Sequence, residues 1–153
     1  QGGAPGENTM SITQHFVRLR RKMEAMAREP LALRRTRFKL VVDYSLLGII
    51  PKLRELGYTD IEAFAAPAPP EDMRKRLNAF TIGRGEDRPV ALITRNHKPF
   101  ERAFMNLEDT RYSVMWAREE YPAAKFPAKI DALVQHKAAS LYGGIVWNLA
   151  FAK

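Results

Sequence analysis

Hydrophobic and polar positions change rhythm along this chain, and each change marks an element. Between Ser11 and Glu29 the apolar residues Ile12, Phe16, Leu19, Met23 and Met26 recur at steps of three and four. That spacing lays them along one stripe of a helix, with Arg18, Arg20, Arg21, Lys22 and Arg28 largely around it and Pro30 as its stop. From Phe38 the rhythm shortens: FKLVV, 38–42, is a compact β-rich run ending at Asp43. Pro51 suits a first helical turn, Leu53 and Leu56 a buried face, and Gly57 a left-handed stop. Residues 61–65, IEAFA, alternate weakly as a second strand, and APAPP at 66–70 forces a loop. Glu71 and Asp72 then open a helix ending near Phe80, their charges suited to its amino-terminal dipole.

The alternation continues to the end of the chain. IGRGEDRP, 82–89, is a loop by composition, and its lone GxG is too little for a phosphate cradle. VALI, 90–93, is a third strand closed by Thr94; residues 97–107 have a helical face in Phe100, Phe104 and Leu107; YSVMW, 112–116, is a fourth strand. A last helix is expected from Pro127 to Tyr142, with Ile130, Leu133, Val134 and Leu141 inward and Gly143 and Gly144 as its break. Strands alternating with helices predict a parallel sheet covered on both faces, a small three-layer α/β domain. The expected organisation is a tag remnant or disordered segment at 1–9, a basic helical arm at 10–37, and the α/β domain at 38–153.

Length and composition narrow this picture. At 153 residues and 46% hydrophobic, the chain suits one core. Without cysteine, disulfide frameworks, thiolate metal sites and cysteine nucleophiles are excluded, and His15, His97 and His136 lack the spacing of a histidine-built zinc site. QGGAPGENT lacks the regions of a signal peptide, and the longest apolar stretch, Leu141 to Ala152, is short of the roughly 20 residues a membrane helix needs. A cytoplasmic protein with no transmembrane segment is therefore expected. The same stretch is apolar for a terminus, and with the amino-terminal stripe it offers a surface for a homodimer or a protein partner.

Charge is lopsided. The net charge is +8, and residues 1–40 hold nine basic and three acidic side chains. A second basic cluster, Arg34, Arg35, Arg37 and Lys39, runs into the first strand. Such density points to a polyanion, a nucleic acid above all, held through phosphate contacts; an anionic membrane surface or a partner protein is the rival for a basic amphipathic helix.

In an open parallel sheet the functional crevice lies beyond the carboxyl ends of the strands. Asp43 and the group Thr94, Arg95, Asn96 and His97 fall there, with Asp72 as a third candidate because its helix starts near the same rim. Acidic and carbonyl oxygens in a crevice would suit Mg²⁺ or Mn²⁺ and metal-assisted phosphodiester hydrolysis.

The succession VVDYSL, IIPKLRELGY and ALITRNHKPF resembles the short PIN-like family of ribonucleases, related to the VapC-type toxins of toxin–antitoxin pairs. The resemblance covers roughly residues 38–118. It implies a PIN-like domain and a metal-dependent endoribonuclease with Asp43 and Asp72 (or Glu71) as metal-side acids and Asn96 as a neutral ligand; beside it, the residues' own chemistry makes His97 a candidate base and Arg95 a cation to steer phosphate. Asn96 stands where the family has its next Asp, so the resemblance equally implies a degenerate site that binds RNA without cutting it.

Overall fold

The computed structural model describes residues 14, 17, 18, 20, 21, 24, 25, 28–64, 69–82, 88–101, 112–137 and 145–151. The first nine residues, Lys22, the stripe Ile12, Phe16, Leu19, Met23 and Met26, and the far end of the helix expected at 97–107 lie outside these. The described positions between 14 and 28 are helical and exposed, Arg18, Arg20, Arg21 and Arg28 among them.

The basic segment after Pro30 does not lead straight into the first strand. Pro30, at ψ 149°, turns the chain into a short helix α1 (Leu31–Arg37). Then β1 (Lys39–Val42) enters the core with all four residues buried. Asp43 begins a 3-10 turn, Tyr44–Ile49, by accepting a bond from the Tyr44 N–H, and α2 (Ile50–Leu56) follows with Pro51 in its first turn. Gly57 closes α2 at φ 114°, in the left-handed region the sequence reserved for glycine. Strand β2 (Asp60–Ala63) is offset from the expected 61–65, and α3 (Pro70–Ile82) starts with Glu71 and Asp72 in its first turn. β3 (Val90–Thr94), the short helix α4 (Lys98–Glu101) and β4 (Ser113–Trp116) complete the middle of the domain.

One expectation at the carboxyl end is corrected. Helix α5 (Phe126–His136) stops six residues before Tyr142: Lys137 leaves helical geometry, and the Arg34 guanidinium, 100 residues upstream, donates to the Val134 and Gln135 carbonyls that a helix end leaves unpaired. The apolar tail is in part built into the sheet, while Phe151 within it stays exposed. Val146–Asn148 forms β5, hydrogen-bonded parallel to β4, and Leu149 is fully buried beyond it.

All five strands are parallel, in the order β2-β1-β3-β4-β5. Alternation along each strand divides the core in two. Leu40, Val42, Ile93 and Met115 face the 3-10 turn, α2 and α5, where they meet Leu46, Leu53, Ile130 and Val134. Val41, Leu92 and Val114 face α3 and α4, where they meet Met73, Leu77 and Phe100. The result is the three-layer α/β sandwich expected, each fully buried aliphatic side chain contributing about 2 kcal/mol. No described helix is long and apolar enough to cross a membrane.

Candidate functional site

Strand order reverses direction between β1 and β3, the first strand leading outward to β2 and the third to β4 and β5. Loops leaving β1 and β3 therefore part to opposite faces, which opens a crevice at their carboxyl ends. Asp43 and Thr94 sit at that point. The ladder pairs Val42 with Ile93, and the Asp43 N–H continues it by donating to the Ile93 carbonyl at 3.0 Å. One residue on, the Thr94 hydroxyl donates to Asp43 Oδ2 at 2.9 Å, and the Asn96 N–H donates to Thr94 Oγ1 at 3.0 Å. The other carboxylate oxygen, Oδ1, accepts from the Tyr44 N–H at 2.8 Å. The first aspartate and the TRNH tetrapeptide, 51 residues apart in sequence, thus share one rim.

Neighbouring strands extend the row. Thr94 is paired in register with Trp116, and Trp116 with Asn148. The His97 imidazole stacks on the Trp116 indole, centroids 3.7 Å apart and planes 23° apart. Arg95 turns toward α5: its guanidinium lies 5.2 Å from the Phe126 ring centre and donates to the Arg118 carbonyl. Arg95 and His97 are half-buried, Asn96 and Lys98 exposed. Thr94 and Trp116 are the rim residues the sequence reading undervalued. A threonine ending an otherwise apolar strand was the available signal for the first; the second reads as core until β4 is placed beside β3.

Asp72 is exposed in the first turn of α3, and that helix is tied toward the rim by Arg74, which donates to the Pro99 carbonyl at 2.8 Å. Asp43, Asp72 and His97 do not gather into a metal-ligand cluster; among the described residues no three His, Asp or Glu side chains do. Mg²⁺ binding through several protein oxygens wants a denser donor set than one carboxylate already accepting two hydrogen bonds. The described residues do not fit a two-metal centre.

The second basic cluster has a different position. Arg35 makes a bidentate pair with Asp131 of α5, at 2.8 and 2.6 Å, and the buried Tyr58 hydroxyl donates to the same carboxylate at 2.7 Å. Burial disfavours the charge on Asp131, but the hydrogen bonds from Arg35 and Tyr58 outweigh it and hold the carboxyl below its ordinary value; burial, reinforced by Asp131, pushes the Tyr58 hydroxyl up. Arg34 donates to Glu29 and α5 carbonyls, and Arg37 pairs with Glu29. Of the basic residues named from sequence, Arg34 and Arg35 have partners on α5, Arg37 pairs with Glu29 and the buried Lys39 with Asp60 and Glu62, whereas Arg18, Arg20 and Arg21 are exposed along the helical segment. No family model, curated protein or solved structure matches the chain.

Proposed function

We propose that this protein is a cytoplasmic RNA-binding protein of PIN-like type that holds RNA along the carboxyl rim of its sheet without cutting it. The observation that carries the reading is the Asp43–Thr94 pair at the strand-order reversal, where among the described residues one carboxylate stands with both oxygens already accepting hydrogen bonds. A single carboxylate so placed repels phosphate, yet it can accept a further bond from a hydroxyl, and a ribose 2′-OH is the hydroxyl that separates RNA from DNA. Phosphates would be met by the exposed Lys98 and Arg118 at the rim and by Arg18, Arg20 and Arg21 on the amino-terminal helix. No step in this reading passes through a metal ion.

The second reading, a Mg²⁺- or Mn²⁺-dependent endoribonuclease, is favoured by one observation: Glu71 and Asp72 open α3, which Arg74 ties to the residue after Lys98 at the rim. One experiment separates the two. A labelled oligoribonucleotide and its DNA counterpart are titrated at low and high salt, with and without Mg²⁺, and the strands are then run on a denaturing gel. Salt-sensitive binding, a preference for RNA that Asp43→Asn reduces, and intact strands support the proposal. Mg²⁺-dependent cuts that disappear in Asp43→Asn replace it with the nuclease reading, and absence of binding at low salt removes both.

A further inference from the structure

We infer that the rim contacts nucleobases as well as phosphates, through Tyr44 on one side of the Asp43–Thr94 pair and the His97–Trp116 stack on the other. The inference rests on the RNA-binding reading and names the residues that would make it selective for bases.

Tyr44 is 47% exposed although its ring is one of the larger apolar surfaces of the domain. It is not carried on a loose loop. Its N–H is fixed to Asp43 Oδ1, the Leu46 N–H donates to the Asp43 carbonyl at 2.9 Å, and Leu46 and Ile49 anchor the turn in the core. An aromatic ring presented to solvent on an anchored turn, immediately after the Asp43 carboxylate, loses little freedom when a flat partner settles on it.

Across the pair, register places Trp116 beside Thr94, one strand spacing away, about 5 Å. His97 lies flat against it, and both rings are half-buried rather than enclosed. Among the described residues, the core on that side of the sheet is formed by Leu92, Val114, Phe100 and Leu77, and the two stacked rings belong to neither core cluster. One π surface thus follows the Asp43 carboxylate in the chain, and another adjoins its partner Thr94 in the sheet. Every base has a π face, so aromatic rings stack with bases of any sequence, while the carboxylate and the cations address the sugar and the phosphates.

The test compares two strands of equal length and charge, an oligoribonucleotide of mixed sequence and the same backbone without bases, each titrated against the full chain while tryptophan emission is followed. The expected result is base-bearing RNA binding about tenfold or more tightly than the abasic strand, with emission quenched by the base-bearing strand alone. Tyr44→Ala and His97→Ala should each narrow that gap, and Tyr44→Phe, which keeps the ring, should restore it. Circular dichroism and the melting temperature of each variant show that the fold persists. Equal affinity for the two strands, or a gap unchanged in both alanine variants, overturns the inference and leaves phosphate and sugar contacts as the whole of RNA binding. Binding of neither strand overturns the RNA-binding reading itself.

Discussion

Arg34 and Arg35 turn their guanidinium groups onto the domain, whereas Arg18, Arg20, Arg21 and Arg28, a few residues earlier, stand exposed along a helix. In sequence the two groups look alike, as arginines at helical spacing among apolar residues. Their environments differ because α1 lies against α5, where Asp131, Tyr58 and unpaired carbonyls of the helix end supply acceptors and donors within reach. The same contrast separates that seam from the carboxyl rim. At the seam each named polar group is answered by another from the chain itself. At the rim, Asp43, Asn96 and Lys98 keep part or all of their surface in water. Positive charge is therefore a poor guide to a binding surface until its partners are known, and the rim and the exposed helix are where binding is to be sought.

The largest effect is expected at the seam. Arg35→Ala leaves the Asp131 carboxylate half-buried without its bidentate partner and should cost about 3 kcal/mol, read as a lowered urea midpoint with an unchanged slope. RNA affinity of the folded fraction should stay as it was, because no seam residue reaches the rim. A midpoint close to that of the unaltered chain would mean that the seam contributes nothing to stability and would erase the distinction drawn above.

Acid sharpens the same point. The Asp131 carboxyl ionises below its ordinary value of 3.8 in the folded protein. As pH falls through the unfolded value the unfolded chain takes up the proton first, so stability is complete above that value and is lost as pH drops through the folded one. Urea midpoints measured from about pH 6 down to about pH 3 should therefore fall in the unaltered chain. In Asp131→Asn, which has no carboxyl to titrate, they should fall less, so that the two curves converge in acid. Curves that stay parallel would assign acid sensitivity to other carboxylates.

How much of this was readable beforehand differs between the regions, for physical reasons. The β1 and β3 runs, the Gly57 stop and the acids opening α3 were legible because each follows from local rules: β-rich apolar runs, a left-handed residue, a helix dipole. So was the meeting of Asp43 with the TRNH segment, since parallel strands of one layer end at one rim. Strand β5 was not legible. Val146–Asn148 is three residues long, and what makes it a strand is the waiting edge of β4 rather than any pattern of its own. The early end of α5 was hidden for the same reason, as the group that satisfies its carbonyls comes from Arg34. Long-range partners also decided the fate of the basic clusters.

At the rim the effects are smaller in stability and larger in specificity. Thr94→Val keeps shape but removes the donor to Asp43 Oδ2 and the acceptor of the Asn96 N–H, at a cost of about 1 kcal/mol. With the carboxylate no longer oriented, discrimination between RNA and DNA should weaken while the salt dependence of binding persists. An unchanged preference would place sugar recognition elsewhere than on Asp43.

The smallest effect on stability belongs to the exposed helix, and it is the most informative about function. Replacing Arg18, Arg20 and Arg21 together by Ala removes three cations that have no described partner in the domain core, so the urea midpoint should move by no more than about 0.5 kcal/mol per site. If those cations meet phosphates of a single strand, affinity should fall at low salt, and the slope of log affinity against log salt should become shallower by about 2. Arg34→Ala is the counterpart: it uncaps α5, lowers the midpoint, and leaves the salt slope as it was. A pair of variants that divides in this way, one losing charge-dependent affinity without stability and the other stability without the slope, separates the two uses of arginine. If Arg34→Ala flattened the slope and the triple variant did not, phosphate contact would lie along the α1–α5 seam, and the assignment of the two basic segments would have to be exchanged.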